Sequence, residues 1–523
     1  MRTLIFLLLM ACAAPALALD KDVVEKLAFG DGDERSAAVL ALVKDGDEAA
    51  VPLLKALDGD SVQSVEKRVL IINGDEGIDA VTGEKVSPLP ENRDDVVVNN
   101  RLRGEIENAL AAFNLLSPDR GVRLGAAKSL ATGADPGMLK LVQKALARET
   151  DPDIKPLLEV TAAGMEMRAG DKESRLAAIR RLGESASPHI RTLLAAAAEG
   201  DPDAEIRAEA QKSLRAVQGR LDWGERAGLL FAGVSLGSVL LLAALGLAIT
   251  YGLMGVINMA HGELIMIGAY ATYAVQKFFR LHLPEAFNWY LLAAIPVSFV
   301  VSALVGMLLE RAVIRWLYGR PLETLLATWG ISLTLIQAVR TIFGAQNVQV
   351  ENPAWMSGGI ALMANLVLPW NRIVIIGFAA LVLLSMYLLL TKTRLGLFVR
   401  GVTQNREMAS CVGVPTARID TLAFGLGTGI AGLAGCALSQ LGNVGPDLGQ
   451  GYIVDSFMVV VFGGVGQLAG TVYAALVLGL ANKLLESFSG AVIAKIVVLV
   501  FIIFFIQRRP QGLFALRGRA VEA

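Results

Sequence analysis

No Asp, Glu, Lys or Arg occurs between Arg226 and Glu263, and long uncharged stretches recur from there to Gln507. A helix rises 1.5 Å per residue, so roughly 20 apolar residues cross the hydrocarbon of a bilayer, and this run exceeds that need. Residues 20–226, by contrast, are rich in Asp, Glu, Lys and Arg. The pattern therefore implies a water-facing part followed by a membrane part. The mean hydropathy of +0.53 is concentrated in the second. A formal net charge of −1 offers no basic face for nucleic acid.

The first 18 residues read as a secretory signal. Arg2 supplies a positive start, Leu4 to Met10 an apolar core too short to span, and Ala16-Leu17-Ala18 a small-x-small cleavage site. Lipoprotein processing at Cys12 is the rival reading, and Met10 fits it poorly. Export of the charged part follows. The three cysteines, Cys12, Cys411 and Cys436, form no disulfide framework and no zinc spacing, so no metal or cofactor is expected.

Residues 19–220 form the expected exported domain, and within it residues 30–220 repeat a theme of a short acidic turn followed by an apolar-periodic helix. The turns are Asp31-Gly32-Asp33, Ser117-Pro118-Asp119, Asp151-Pro152-Asp153, Gly170-Asp171 and Asp201-Pro202-Asp203. Asp or Ser caps the first N–H groups, and Pro suits the first turn because it has no N–H to satisfy. After the last turn, Ile206, Ala210, Leu214 and Val217 recur at helical spacing. One helix pair cannot bury its own apolar stripe, so neighbours must stack. The pattern Asp201-Pro202-Asp203…Ile206-Arg207…Ala210…Leu214 resembles HEAT-type repeats. Residues 69–100 interrupt it, and Val69–Ile72, Asn73–Gly77 and Ile78–Val81 read as a small hairpin. His189, after Pro188, reads as a surface turn residue, and no catalytic constellation appears in this part.

In residues 221–523 the expected spans are 229–252, 264–279, 288–309, 323–343, 372–391, 421–441, 452–464, 468–487 and 491–507. Loops 310–321 and 392–420 carry Arg311, Arg315, Arg320, Lys392, Arg394, Arg400, Arg406 and Arg418, whereas 344–371 holds no Lys or Arg. Positive loops stay in the cytoplasm, so the first span enters from outside, in agreement with the exported part. The final arginines, Arg508, Arg509, Arg517 and Arg519, belong inside, which requires an odd number of crossings. A break at Gly463–Gly470 supplies it, giving nine. The fold class expected is all-α: a polytopic membrane domain behind an exported HEAT-like helical domain.

Polar groups at bilayer depth cost about 2.5–3.5 kcal/mol each, which makes them functional candidates. The densest cluster is Asn258, His261 and Glu263, where the first apolar stretch ends. It reads either as the cytoplasmic turn between two spans or as part of a pathway or gate. Gln467, in the Gly-rich break, is a further pathway candidate, since unwound backbone is tolerated only against protein or water. Crowded glycines, Gly425 to Gly435, read as close helix packing. No Gly-Lys pair occurs, so the chain has no Walker A loop and any ATP-driven motor is another polypeptide. Leu397, Val399, Val402, Met408, Ala409 and Val412 read as a short amphipathic helix on which a motor could dock.

The stretch Gly252-Leu253-Met254-Gly255-Val256-Ile257-Asn258-Met259-Ala260-His261-Gly262-Glu263 resembles the signature of branched-chain-amino-acid-type ABC permeases. So do Arg394–Arg400, Ala409–Gly413, Ala431–Gly435 and Arg509–Phe514. The resemblance implies a permease that hydrolyses no ATP itself and works with two ATP-binding-cassette ATPase subunits, a second permease subunit and a periplasmic substrate-binding protein. It also implies that Arg400–Gly413 forms the coupling helix, with Arg400, Arg406, Glu407, Ala409 and Gly413 against the ATPase. Cys411 departs from the small or aliphatic residue expected there. The exported helical extension resembles that of urea-importer permeases, in a bacterial inner membrane with the cytoplasm at the C-terminus. A branched-chain amino acid permease with an added domain, and a self-sufficient channel or secondary carrier, are the alternatives.

Overall fold

The structure is a computed structural model that describes residues 19–514 except 45–48, 67, 75, 91, 132–134, 186 and 364. The expected leader, including Cys12, lies outside the described residues. The chain divides into two compact units, Met1–Asp222 and Trp223–Ala523.

The first unit is helical, with one small sheet. Its helices are α1 (Lys21–Phe29), α2 (Gly32–Lys44), α3 (Ala50–Asp58), α4 (Asn100–Asn114), α5 (Arg120–Leu130), α6 (Leu139–Arg148), α7 (Lys155–Ala169), α8 (Lys172–Leu182) and α9 (Pro188–Gly200), followed by the start of α10 (Ala204–Met254). Local chemistry sets several starts. The side chains of Asp20, Asn99 and Asp119 accept from first-turn N–H groups of α1, α4 and α5, taking up donors that have no partner inside a helix. His189 lies in the first turn of α9, not in a loop, because Pro188 sits where a missing N–H costs nothing.

The interruption is larger than a hairpin. Strands β1 (Val62–Val65), β2 (Arg68–Asn73), β3 (Glu76–Asp79), β4 (Lys85–Val86) and β5 (Asp94–Asp95) form one antiparallel sheet in the order β4-β3-β2-β1-β5. The β2–β3 pairing, with Ile71 opposite Ile78, is the part that the apolar run and the turn residues after it revealed in the sequence. The outer strands are only two residues long, so periodicity has nothing to act on there.

Ion pairs expose a repeat that uneven turn spacing had hidden. Arg123 pairs with Glu149, and Arg175 pairs with Asp201. Arg120 pairs with Asp151 and Asp153, and Lys172 with Asp203 and Glu205. Each pair recurs 52 residues on (123 to 175, 149 to 201, 151 to 203). The core follows the same shift: Leu130 and Leu182, Val142 and Leu194, and Ile154 and Ile206 are all buried. The bond from Arg123 holds Glu149 below the usual carboxylate range, and those from Arg120 and Lys172 do the same for Asp151 and Asp203.

The second unit contains the rest of α10, α11 (His261–His282), α12 (Tyr290–Ala312), α13 (Pro321–Phe343), α14 (Trp370–Lys392), α15 (Arg394–Gln404), α16 (Arg406–Cys411), α17 (Thr416–Ser439), α18 (Leu448–Gly463), α19 (Leu468–Ser489) and α20 (Ala491–Arg508). A hairpin, β6 (Gly359–Met363) and β7 (Leu366–Pro369), occupies the loop that carries no Lys or Arg. Seven helices among the described residues are long and apolar enough to cross a membrane. The two other expected spans correspond to α11, which is not apolar enough to count, and α18, which is too short. In α11 the reason is visible: its buried face carries His261, Glu263, Thr272 and Gln276. The chain is thus an all-α polytopic membrane protein.

Helix α17 is the centre of this unit, with nearly every residue from Ile419 to Ser439 buried. Its glycines accept backbone on several sides. A β-carbon on Gly427 would stand 2.7 Å from Gly246 O on α10, and one on Gly435 would collide with Ile265 O on α11. A β-carbon on Gly429 would stand 2.6 Å from the Phe299 ring on α12. Lipid supplies no hydrophobic drive between helices, so such close approach, through dispersion contacts, holds them together.

Candidate functional site

Helix α10 ends at Met254, and Gly255 follows in the left-handed region at φ 67°, a conformation glycine adopts without a β-carbon clash. The chain then runs without regular structure to His261, where α11 begins. The imidazole Nε2 of His261 lies 3.0 Å from the carbonyl oxygen of Ala243. Ala243 precedes the end of α10 by about three helical turns, or about 16 Å. The segment therefore folds back beside α10 instead of turning at its tip. Asn258, His261 and Glu263 are 1%, 0% and 2% exposed. The three side chains of this connection between α10 and α11 are thus packed inside the unit.

Helix α13 closes the cluster. The Ser332 hydroxyl donates to Glu263 Oε1 at 2.7 Å, and Thr328 Oγ1 accepts from the Met259 N–H at 3.1 Å. Asn258 Oδ1 accepts from the Ala260 N–H at 3.0 Å. Gly262 backs onto Gly449, at the start of α18, where a β-carbon would stand 2.5 Å from the carbonyl oxygen. Two buried atoms have no protein partner: Asn258 Nδ2 and His261 Nδ1. An unsatisfied buried polar group costs about 1–3 kcal/mol, so the cluster favours either a polar guest or a second arrangement. Among the described residues no group of His, Cys, Asp and Glu is placed to hold a metal ion.

The sequence reading missed Thr328 and Ser332, yet their signal was present. Thr324, Thr328 and Ser332 recur every fourth residue in an otherwise apolar span, and all three are buried. That spacing marks one polar face of a helix.

Gln467 does not join this cluster. It ends the break between α18 and α19, where Gly464 and Gly466 have φ 103° and 83°. Gly466 lies against Gly252 on α10. Gln467 is half-buried and lines a groove of about 600 Å³ with Ala248, Ile249, Leu383, Tyr387 and Arg400.

The segment expected to form one coupling helix is two helices. Asn405 ends α15 and caps α16, its side chain accepting from the Met408 N–H at 2.9 Å, so the chain bends between Arg400 and Arg406. Arg400, Glu407 and Gly413 are exposed, and Ala409 is buried. Gly413, at φ 86°, sits just beyond the end of α16. The exposed apolar residues Leu397, Met408 and Val412 surround them. Arg406 pairs with Asp420, a buried residue at the start of α17.

Comparison with known proteins covers the same unit. The family model described as "Branched-chain amino acid transport system / permease component" matches residues 229–506. The high-affinity branched-chain amino acid transport system permease protein LivH of Escherichia coli K12 is 28% identical over 291 residues, covering 54% of this chain and 94% of that protein. BraD of Pseudomonas aeruginosa, described in the same words, is 28% identical over 287 residues, 54% of this chain and 93% of its own. LivM of Salmonella typhimurium is 25% identical over 301 residues, 53% of this chain and 67% of its own. No solved structure matches.

Proposed function

We propose a function from one premise: the chain belongs to the branched-chain amino acid transport system permease family, whose model spans residues 229–506. It is the membrane-spanning subunit of an ATP-binding-cassette importer and is not itself an enzyme. Its substrate passes the buried cluster of Asn258, His261 and Glu263, with Thr328 and Ser332 beside it. Gln467 borders the route at the second break. Two ATPase subunits bear on the 392–420 loop through Arg400, Arg406, Glu407, Ala409 and Gly413. A second permease subunit and a periplasmic binding protein complete the complex. The burial of unpaired polar atoms at the start of α11 supports a pathway there, because a permanently closed core would leave Asn258 Nδ2 and His261 Nδ1 without partners. Replacing Gly413 with Trp should uncouple transport while leaving the permease in the membrane; normal substrate-stimulated ATP hydrolysis would remove the coupling assignment.

The membrane is the bacterial inner membrane, crossed nine times, with residues 19–220 periplasmic and the C-terminus cytoplasmic. Loop charges and the leader support this orientation. Protease added to intact spheroplasts should remove residues 19–220, and protection of that segment would reverse the topology. The helical unit acts in substrate delivery: deleting residues 20–218 behind the leader should raise the substrate concentration for half-maximal uptake.

The substrate is urea or a related small amide. Two observations support this. The family model begins at residue 229, and the sequence pattern of the helical unit before it is similar to the extension of urea-importer permeases. The buried cluster also holds no Lys or Arg to meet an amino acid carboxylate, whereas a neutral amide brings one acceptor and several donors. The printed names of LivH and BraD favour the second reading, branched-chain amino acids. Binding of urea and of leucine to the companion periplasmic protein, with uptake of each in cells lacking this chain, separates the two. Tight leucine binding without urea binding would overturn the amide reading.

A further inference from the structure

Two carboxylates near the ends of their helices, Glu310 on α12 and Asp420 on α17, are 1% and 3% exposed, and nothing in the transport reading uses them. They belong to one network. Arg406, on α16, pairs with Asp420, and its guanidinium lies 5.0 Å from the centre of the Tyr318 ring. The Tyr318 hydroxyl donates to Glu310 Oε1 at 3.1 Å, and the Thr421 hydroxyl donates to Glu310 Oε2 at 2.7 Å. Burying Asp420 against a half-exposed arginine, and Glu310 against two hydroxyls, adds little stability compared with packing apolar side chains in the same space; what it supplies is a fixed geometry.

The apolar side of Tyr318 continues the path. It packs with Met254 on a small core of Val256, Ile314 and Phe424. Met254 packs as well on a second core, Val399, Ile419 and Ala423, to which Leu395 and Phe398 of α15 belong. Met254 is the last residue of α10, Gly255 follows at φ 67°, and Val256 leads into Asn258. A displacement of α15 and α16 relative to α17 must therefore either break the Arg406–Asp420 pair or carry Tyr318 and Met254 with it. Close-packed interiors change between discrete arrangements and do not deform smoothly.

We propose that Asp420, Tyr318, Glu310 and Met254 are positioning residues that convert movement of the 394–411 helices into movement of the Asn258–Glu263 segment. This rests on the assignment of those two regions to ATPase contact and substrate passage. The relay explains why the pathway segment starts beside a glycine hinge whose neighbour reaches the cytoplasmic helices. It also gives Arg406 a role besides touching the ATPase: its guanidinium ties α16 to α17.

The test uses the whole complex in proteoliposomes, with ATP hydrolysed per substrate molecule imported as the readout. Asp420→Asn and Met254→Ala should each raise that ratio about tenfold, a coupling change of ordinary size for a two-state protein. Asp420→Glu keeps a carboxylate for Arg406 and leaves the ATPase-facing residues untouched, so its ratio should stay near that of the unaltered complex. Tyr318→Phe keeps the ring and loses the bond to Glu310, so its ratio should fall between. If Asp420→Asn prevents assembly, Met254→Ala, which removes no charge, carries the test. Unchanged ratios in assembled Asp420→Asn and Met254→Ala complexes, with Gly413→Trp uncoupled, overturn the relay alone. Unchanged ratios in all three overturn the coupling assignment and the relay together.

Discussion

The two units treat charge in opposite ways. In the first, cations and carboxylates meet near the surface in pairs that recur along the chain: Arg120 with Asp153 and then Lys172 with Glu205. In the second, Glu263, Glu310 and Asp420 are each buried once, with different partners and no repeat. Water accounts for the difference. A pair that solvent screens constrains its surroundings little, so it can be copied with the helices that bear it. A polar group taken out of water must have its own partner built for it, so its position carries information about function.

The sharpest way to break this comparison is at a glycine. Gly435→Leu would drive side chain into the Ile265 carbonyl of α11, and overpacking of that kind costs about 1–3 kcal/mol or more. The yield of monodisperse protein and its melting temperature should both fall. Gly200→Ala, in the first unit, meets nothing within 4 Å and should leave both unchanged. A tolerated leucine at 435 would mean that α17 is not packed by backbone contact.

Next in size is Ser332→Ala, which leaves Glu263 Oε1 without its hydroxyl donor at a cost of about 1–3 kcal/mol. Uptake should drop while the chain remains inserted. Ser385→Ala is the control, because that hydroxyl bonds only its own helix at an exposed position, 2.8 Å from Leu381 O. Equal uptake by the two variants would deny the cluster any special role.

A smaller effect sharpens the other side. Arg123→Ala and Arg175→Ala each uncover a carboxylate in equivalent places. Amide exchange in α6–α7 and in residues 188–217 should quicken by matching factors, and a large difference would break the 52-residue equivalence.

The mildest test is acid. Glu149, Asp151 and Asp203 titrate below their ordinary range because Arg123, Arg120 and Lys172 bond to them. A depressed folded-state pKa adds stability above the unfolded value that is lost as pH falls through the folded one. Lys172, raised by Glu205 and Asp203, adds stability that disappears only under strongly alkaline conditions. Exchange across residues 120–221, corrected for intrinsic rate, should therefore begin to rise below about pH 4. No rise at that point would show that these bonds do not persist in solution.

Much of the site was legible in residue type alone. Asn258, His261 and Glu263 stand out because an uncharged run ends at them, and Gln467 because glycines surround it. Glu310 and Asp420 did not stand out, since a charge near the end of a span reads as interfacial. Tyr318 looks like any aromatic near a membrane surface. The 52-residue repeat was hidden for a related reason: the residues that define it pair across separations of 26 to 33 positions, and periodicity sees only neighbours. Asn405 shows the same limit at short range. Apolar spacing joined Leu397 to Val412 as one helix, whereas the Asn405 cap divides it.

The sequence by itself determined that the chain is helical, that it has a charged part and a membrane part, and which polar residues interrupt or end its apolar runs. These follow from local quantities: the length of uncharged runs, the spacing of apolar side chains and the chemistry of caps. Only the tertiary structure decided that the segment after Gly255 folds inward to meet Ala243, that α13 supplies Ser332 to Glu263, and that Arg406, Tyr318 and Met254 lie on one path. The physical reason is that a buried polar atom is satisfied by whatever donor or acceptor the packing brings within about 3 Å. That choice depends on how distant helices approach, which at α17 is governed by the absence of a β-carbon on its glycines.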